Sequence, residues 1–307
     1  LIEHLTHTLP HGISLSCRAS GQAGRPVLMF LHGFPEAAFV WDGLLAHFSK
    51  PENGGFRCIA PNLRGYEKSS APQQVSDYRA KYLAQDIEAL IHIESPNAPL
   101  VCLIAHDWGG AVAWNLGNQK PALMQRLAII NSPHPGTFLR ELKSNPEQQA
   151  ASAYMNFLIR PDSEQLLAED DYRRLWEFFA NMGAVDGPHA WLTPEVKDQY
   201  REVWNLGLTG GVNYYRASPM RPPRPEDPAA AALQLPHDML TVNLPTCVIW
   251  AMQDIALPAS LIDGLDAYIP NMRLHRVADG THWLVHEQAA LVAAYLQDFF
   301  NEETPTQ

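Results

Sequence analysis

Three polar residues stand just beyond short apolar runs, and together they could carry out a covalent hydrolysis. Asp107 follows "LVCLIAH", Asp254 follows "TCVIWAMQ", and His282 follows "MRLHRVADGT". A carboxylate among small residues, as in "HDWGG" (His106 to Gly110), can act as a nucleophile, a histidine can activate water, and a second carboxylate can orient the histidine. An aspartate gains little by attacking an ester or amide, because the product is a reactive anhydride. At a saturated carbon it displaces a leaving group in line and forms an alkyl ester that water then cleaves.

Such residues need a scaffold that holds distant loops together. The runs "VLMFL" (27–31), "FRCIA" (56–60), "LVCLIA" (100–105) and "LAIIN" (127–131) read as buried strands. The stretch "YRAKYLAQDIEALIHI" (78–93) places its apolar residues at helical spacing. This alternation predicts a parallel sheet covered by helices on both faces, with ligands bound beyond the carboxyl ends of its strands. In "LIAHDWGGAVAW" (103–114) an apolar run meets a tight turn and then a helix of small residues, which is the shape of a nucleophile elbow. Residues 134–241 contain no convincing strand. Their helical patterns include "DYRRLWEFFANMG" (171–183), which Gly183 would end, and a Pro- and Ala-rich connector follows at 218–236. Strand patterns return at "TCVIWA" (246–251) and "MRLHRVAD" (272–279), and a helix closes the chain at "EQAALVAAYLQDFF". A core made of 1–133 and 242–307, interrupted by a helical cap at 134–241, is the expected organisation. No internal repeat is present.

The order nucleophile, acid, histidine is that of the α/β-hydrolase triad. In that fold the loop "HGFPEAAFVW" (32–41) follows the strand that supplies the second oxyanion-hole donor, so the backbone N–H groups of Phe34 and Trp108 are the expected pair. Together, "HGFPE", "HDWGG", "NYYR" (213–216) and "DGTHW" (279–283) resemble the epoxide hydrolases of the α/β-hydrolase superfamily, to which haloalkane dehalogenases are related. The resemblance covers nearly the whole chain. It implies an α/β-hydrolase fold, with a mostly parallel central sheet flanked by helices and an inserted helical cap. It also implies that Asp107 is the nucleophile, His282 the base and Asp254 its orienting acid. Two cap tyrosines, matched to Tyr154 and Tyr215, would protonate the epoxide oxygen. Tyr214, next to Tyr215 on a helix, should point about 100° away and pack. His32, Pro35, His106 and Trp283 are the expected pocket residues of the motif loops, His32 and His106 chiefly holding those loops. Ala105 and Ala251 replace small glycines of the pattern and leave the site intact.

The implied reaction opens a small hydrophobic epoxide with water to a vicinal diol, without cofactor or metal. The rival reading is a haloalkane dehalogenase with the same triad and the Trp108 indole as halide donor. Phe34 and the tyrosine pair weigh against it, because a halide wants N–H donors and needs no proton. A fluoroacetate-type dehalogenase would carry arginines soon after the nucleophile, and "WGGAVAW" has none. A silent scaffold of this fold would be expected to lack a triad residue, and none is missing.

The 307 residues carry 22 Lys and Arg against 33 Asp and Glu, a net charge of −11, so nucleic acid and anionic membranes are excluded as partners. Cys17, Cys58, Cys102 and Cys247 are scattered among apolar runs, as buried free thiols are, which together with the absence of a signal-peptide pattern predicts a cytoplasmic protein. Self-association is compatible with this composition.

Overall fold

The computed structural model describes residues 1–302. One eight-stranded sheet organises them, made of β1 (Glu3–Thr8), β2 (Ser14–Ser20), β3 (Val27–Leu31), β4 (Arg57–Pro61), β5 (Cys102–His106), β6 (Leu127–Ile130), β7 (Thr246–Ala251) and β8 (Met272–Val277). The spatial order is β1-β2-β4-β3-β5-β6-β7-β8. The β1–β2 and β2–β4 pairings are antiparallel, and β4 to β8 form a parallel sheet. Strands β3 to β7 are buried along their whole length, which is why they read as continuous apolar runs and not as alternating ones.

The helices are α1 (Asp42–Phe48), α2 (Ala80–Glu94), α3 (Trp108–Gln119), α4 (Pro135–Ser144), α5 (Pro146–Ala151), α6 (Tyr154–Leu158), α7 (Ser163–Ala180), α8 (Pro194–Trp204), α9 (Thr209–Ala217), α10 (Pro228–Ala232), α11 (Leu284–Glu287) and α12 (Ala289–Asn301). Alternate strand residues face opposite layers. Leu28, Phe30, Ile104 and Ile249 pack with Leu45 of α1 and Leu296 of α12. Met29, Leu31, Leu103 and Val248 pack in the other core with Ile87 of α2 and Val112 of α3.

The predicted runs fall on β3 to β8 with ends shifted by a residue or two: 56–60 becomes Arg57–Pro61, and 100–105 becomes Cys102–His106. The antiparallel pair β1 and β2 was outside that reading. β1, "EHLTHT", is an edge strand whose residues are exposed or half-buried, so it lacks an apolar run to announce it.

Between β6 and β7 the chain forms α4 to α10. Within 134–241, and among the described residues, no strand forms beyond an isolated bridge between Arg224 and Asp227. Helix α7 is broken at Glu169–Tyr172, where Asp170, Asp171 and Tyr172 take φ of 52°, 53° and 62°. Its second half ends at Ala180, three residues before Gly183, whose φ of 75° suits glycine. Phe179 of this half packs 4.4 Å from Trp283 and 6.1 Å from Trp204, so an aromatic cluster joins the helical segment to the loop after β8. All four cysteines are buried and free. Among the described residues no helix is long and apolar enough to cross a membrane.

Candidate active site

Asp107 sits between the end of β5 and the start of α3 with φ 51° and ψ −124°, a conformation that L-residues rarely adopt. Close packing of small neighbours holds it there. A Cβ on Gly109 would lie 2.5 Å from the Leu31 carbonyl oxygen, and one on Gly110 would lie 2.2 Å from Ser132 Cβ. A Cβ on Gly33 would come within 2.3 Å of Asp107 Cβ, so only glycine lets the loop after β3 approach the carboxylate. Ser132 Oγ donates to the Asp107 carbonyl at 2.6 Å and closes the turn from the β6 side.

The Asp107 side chain faces two ways. Its Oδ1 accepts the Phe34 N–H at 2.9 Å, and its Oδ2 lies 3.4 Å from His282 Nε2. His282 Nδ1 donates to Asp254 Oδ2 at 2.6 Å. Asp254 is fully committed: its Oδ1 accepts the N–H groups of Ala256 (2.9 Å) and Leu257 (3.0 Å), and Asn131 Nδ2 donates to its Oδ2 at 2.8 Å. Thus the loops after β5, β7 and β8 bring Asp107, Asp254 and His282 into one chain of contacts. Trp108 opens α3, where the first N–H groups have no intrahelical carbonyl, so its backbone donor is free to serve a ligand beside that of Phe34.

These contacts set the charges. Burial would push the Asp107 carboxyl up, but the hydrogen bond and charge of His282, with help from the Phe34 N–H, outweigh it and hold the carboxyl below its ordinary range. Burial works against a charged His282, yet Asp254 first and Asp107 second overcome it and raise the imidazole well above its ordinary value. The resting pair is a carboxylate beside an imidazolium.

A cavity of about 340 Å³ opens over Asp107 and is lined by Trp108, Tyr154 and Tyr215 among others. Tyr154 opens α6 and Tyr215 lies on α9, with ring centroids 6.1 Å apart. Burial pushes both phenols upward, and the nearby charge of Asp107 adds to it. Trp108 meets Tyr215 edge-on, with ring centroids 5.1 Å apart. Tyr214 is buried with its hydroxyl donating to the Arg64 carbonyl at 2.7 Å, a packing position.

The pocket-wall expectation for His32, Pro35, His106 and Trp283 is corrected. All four are buried, and none lines the cavity. His32 Nε2 accepts the Leu63 N–H at 3.0 Å while its Nδ1 lies 2.9 Å from the Gly33 carbonyl. The Pro35 carbonyl accepts the Trp204 indole N–H at 2.8 Å. His106 Nε2 donates to the His282 carbonyl at 2.8 Å, and Trp283 packs among aromatic rings. These residues fix the loops from behind; motif loops are close in sequence to the cavity, but their alternate residues face the core.

Sequence reasoning gave no role to Asn131 or Glu36. Asn131 was visible as the end of "LAIIN", at the same carboxyl edge as the triad. Besides holding Asp254, its Oδ1 accepts the Ala251 N–H at 2.7 Å. Glu36, in "HGFPE", is fully buried and accepts from Tyr200 Oη at 2.5 Å and His286 Nε2 at 2.6 Å. Its other oxygen lies 3.3 Å from His106 Nδ1 without hydrogen-bond geometry. Tyr200 and His286 carried no motif that marked them as its partners.

The chain matches the family model described as alpha/beta hydrolase fold over residues 26–289. It is 33% identical to "AB hydrolase superfamily protein YfhM" of Bacillus subtilis, covering 95% of this chain and 96% of that one. Identity to "Epoxide hydrolase 4" of Mus musculus is 30%, over 95% of this chain and 78% of that one. Among solved structures, a Bacillus megaterium epoxide hydrolase in complex with an inhibitor superposes with a TM-score of 0.86 at 28% identity, covering 97% of this chain and all of that one. A structure described as one of the novel epoxide hydrolases from metagenomes of hot environments gives 0.83 at 35% identity, covering 99% of this chain and 100% of that one.

Proposed function

Since the chain belongs to the alpha/beta hydrolase fold family and resembles its epoxide hydrolases throughout, we propose that it opens epoxides to vicinal diols through a covalent ester on Asp107. One observation carries this reading. The elbow residue is a carboxylate with one oxygen on the Phe34 N–H and the other beside His282, and it shares a cavity with two protonated phenols.

In the first step, Asp107 Oδ2 attacks an epoxide carbon in line. The carbon–oxygen bond breaks, and the departing alkoxide takes a proton from Tyr154 or Tyr215. A tyrosine with an ordinary pKa near 10 is protonated at neutral pH, and the upward shift here keeps it so. Helices α4 to α10 act as a cap that brings these phenols over the nucleophile.

Esterification removes the charge on Asp107. One of the two carboxylates holding the proton on His282 is lost, so the imidazole becomes a better base when a base is needed. Asp254 continues to orient it through Nδ1. Water deprotonated at Nε2 attacks the carboxyl carbon of Asp107, and the Phe34 and Trp108 N–H groups stabilise the oxyanion on Oδ1. Each such donor is worth about 10²- to 10³-fold in rate. On collapse the departing oxygen takes the Nε2 proton and leaves as the diol; the Asp107 carboxyl gives its remaining proton to His282, and the tyrosinate regains its proton from the imidazolium or from water, which restores the resting site. The four buried free thiols suit a reducing compartment, which favours a cytoplasmic setting.

The test is incubation with an aryl epoxide, a bromoalkane and an activated ester, using the parent, Tyr215→Phe and Asp107→Ala. Diol from the parent, lost in Asp107→Ala, is expected. Bromide release that survives Tyr215→Phe, with no diol formed, overturns the reading. In single-turnover hydrolysis in ¹⁸O-labelled water, the label should enter Asp107 and not the diol.

A further inference from the structure

The cavity extends from Asp107 in one direction. It follows a stripe of α3: Trp108, Ala111, Asn115 and Gln119 line it, at intervals of three and four residues. From Trp108 to Gln119 that stripe covers about 16 Å of helix rise. Further walls come from the end of α9, the connector and the turn after it, through Ala217, Met220 and Met239, and Met239 is 49% exposed. The lining contains no residue between 156 and 213 and none beyond 257, so this cavity does not continue past His282. Aromatic rings fill that side. Phe34 and Trp108 meet Tyr215 edge-on at 5.2 and 5.1 Å, and Trp283 stands 4.8 Å from His282 with Phe178 and Phe179 at 5.6 and 4.4 Å behind it.

A volume of about 340 Å³ lies along this stripe and forms the slot. Its wall is mostly aromatic and aliphatic around the nucleophile, with the two phenols, Ser132 and His134 among its polar groups, and turns to carboxamides at Asn115, Asn118 and Gln119. Asn118 is already bound to the carbonyls of Asp238 and Thr241 at 3.0 and 2.7 Å, which pins the turn after the connector against α3 at the far end of the slot. An epoxide placed between Asp107 and the phenols can therefore extend a substituent from one carbon along α3, while the other carbon faces the closed aromatic end.

Building on the reading of the site as an epoxide hydrolase, we infer that the substrates are terminal epoxides bearing one elongated, unbranched apolar substituent, and that the α3 stripe through Asn115 sets its length. Each methylene buried in the slot should raise kcat/KM about fourfold. The gain should level off as the chain reaches Asn115, about 10 Å from Trp108 along the helix, a chain of roughly eight carbons.

The experiment measures kcat/KM of the parent for 1,2-epoxybutane, 1,2-epoxyhexane, 1,2-epoxyoctane and 2,3-epoxyoctane. A rise along the 1,2-series and a value for 2,3-epoxyoctane at least tenfold below its 1,2-isomer are expected. Asn115→Phe, verified as folded by circular dichroism, should lower the ratio of 1,2-epoxyoctane to 1,2-epoxybutane at least tenfold. Should that variant fail to fold, the parent series decides alone. A flat series, an equal rate on the 2,3-isomer, or an unchanged ratio in folded Asn115→Phe overturns the inference while epoxide opening stands. If no epoxide is opened at all, both readings fall.

Discussion

His282 is held as an imidazolium by two carboxylates, yet its proposed task is to remove a proton from water. The conflict resolves if the two steps are separated, because Asp107 is charged only before the ester forms. Two outcomes follow. Replacing His282 with glutamine should leave ester formation in place and stop its hydrolysis. Mass spectrometry after mixing with epoxide should then show Asp107 carrying one substrate per chain, and diol turnover should fall by at least about 10³-fold. In the parent, single-turnover alkylation should be flat between about pH 5 and 9, because Asp107 is ionised and the phenols protonated throughout. Ester hydrolysis should instead rise with pH as esterified enzyme loses the His282 proton. A hydrolysis rate independent of pH over that range would contradict the charge-coupled base.

At the scale of elements, the site exists because three loops leave the carboxyl edge of one parallel sheet, after β5, β7 and β8, and Asn131, which follows β6, braces the β7 loop. It takes φ of 39° after β6, accepts the Ala251 N–H from β7, and donates to Asp254. Removing its side chain leaves a buried N–H unpaired and one lone pair of Asp254 without a donor. Asn131→Ala should therefore cost about 2–3 kcal/mol of stability, read by urea or thermal unfolding, and lower the rate of ester hydrolysis more than that of alkylation. The α3 elbow was legible in the sequence because its glycines are close-contact positions in a recognisable order. Asn131 had the right place but no motif, and only its two partners across β7 reveal its work.

For the whole molecule, acid is the expected weakness. His32 and His134 are buried and neutral, each pushed down to about 4 by burial, with backbone hydrogen bonds opposing only partly. An unfolded chain binds protons at these positions near pH 6.5, so the stability they allow is complete above that value and is lost as pH falls toward 4, by up to ~3 kcal/mol each. His282 has the opposite sign. Its raised value adds stability that is complete below about 6.5 and disappears as pH rises through the folded-state value. Asp107, held low, adds stability above about 3.8 that is lost in stronger acid. A Tm profile should peak near neutrality and drop on the acid side; a Tm unchanged from pH 7 to 4.5 would refute this account. The seam between helical segment and sheet offers another test, because Tyr200 of α8 donates to the buried Glu36. Tyr200→Phe keeps the ring packing and removes that donor, so about 1–3 kcal/mol should be lost.

By itself the sequence determined the order of the three site residues along the chain and the parallel core. Buried strands must be apolar runs, reactive residues must follow them, and the elbow must be small; each is a local constraint written in neighbouring residues. The pairing of Asp254 with His282 could be read from chain order, although the 2.6 Å contact itself belongs to the folded state. Only the tertiary structure decided which motif residues face the cavity and which brace the loops. His32, Pro35, His106 and Trp283 belong to the second group because β3, β5 and β8 bring their loops together back to back. The shape of the cavity was equally hidden. It depends on how α9 and the connector lie against α3, and that packing joins residues about a hundred positions apart, beyond the reach of any local pattern.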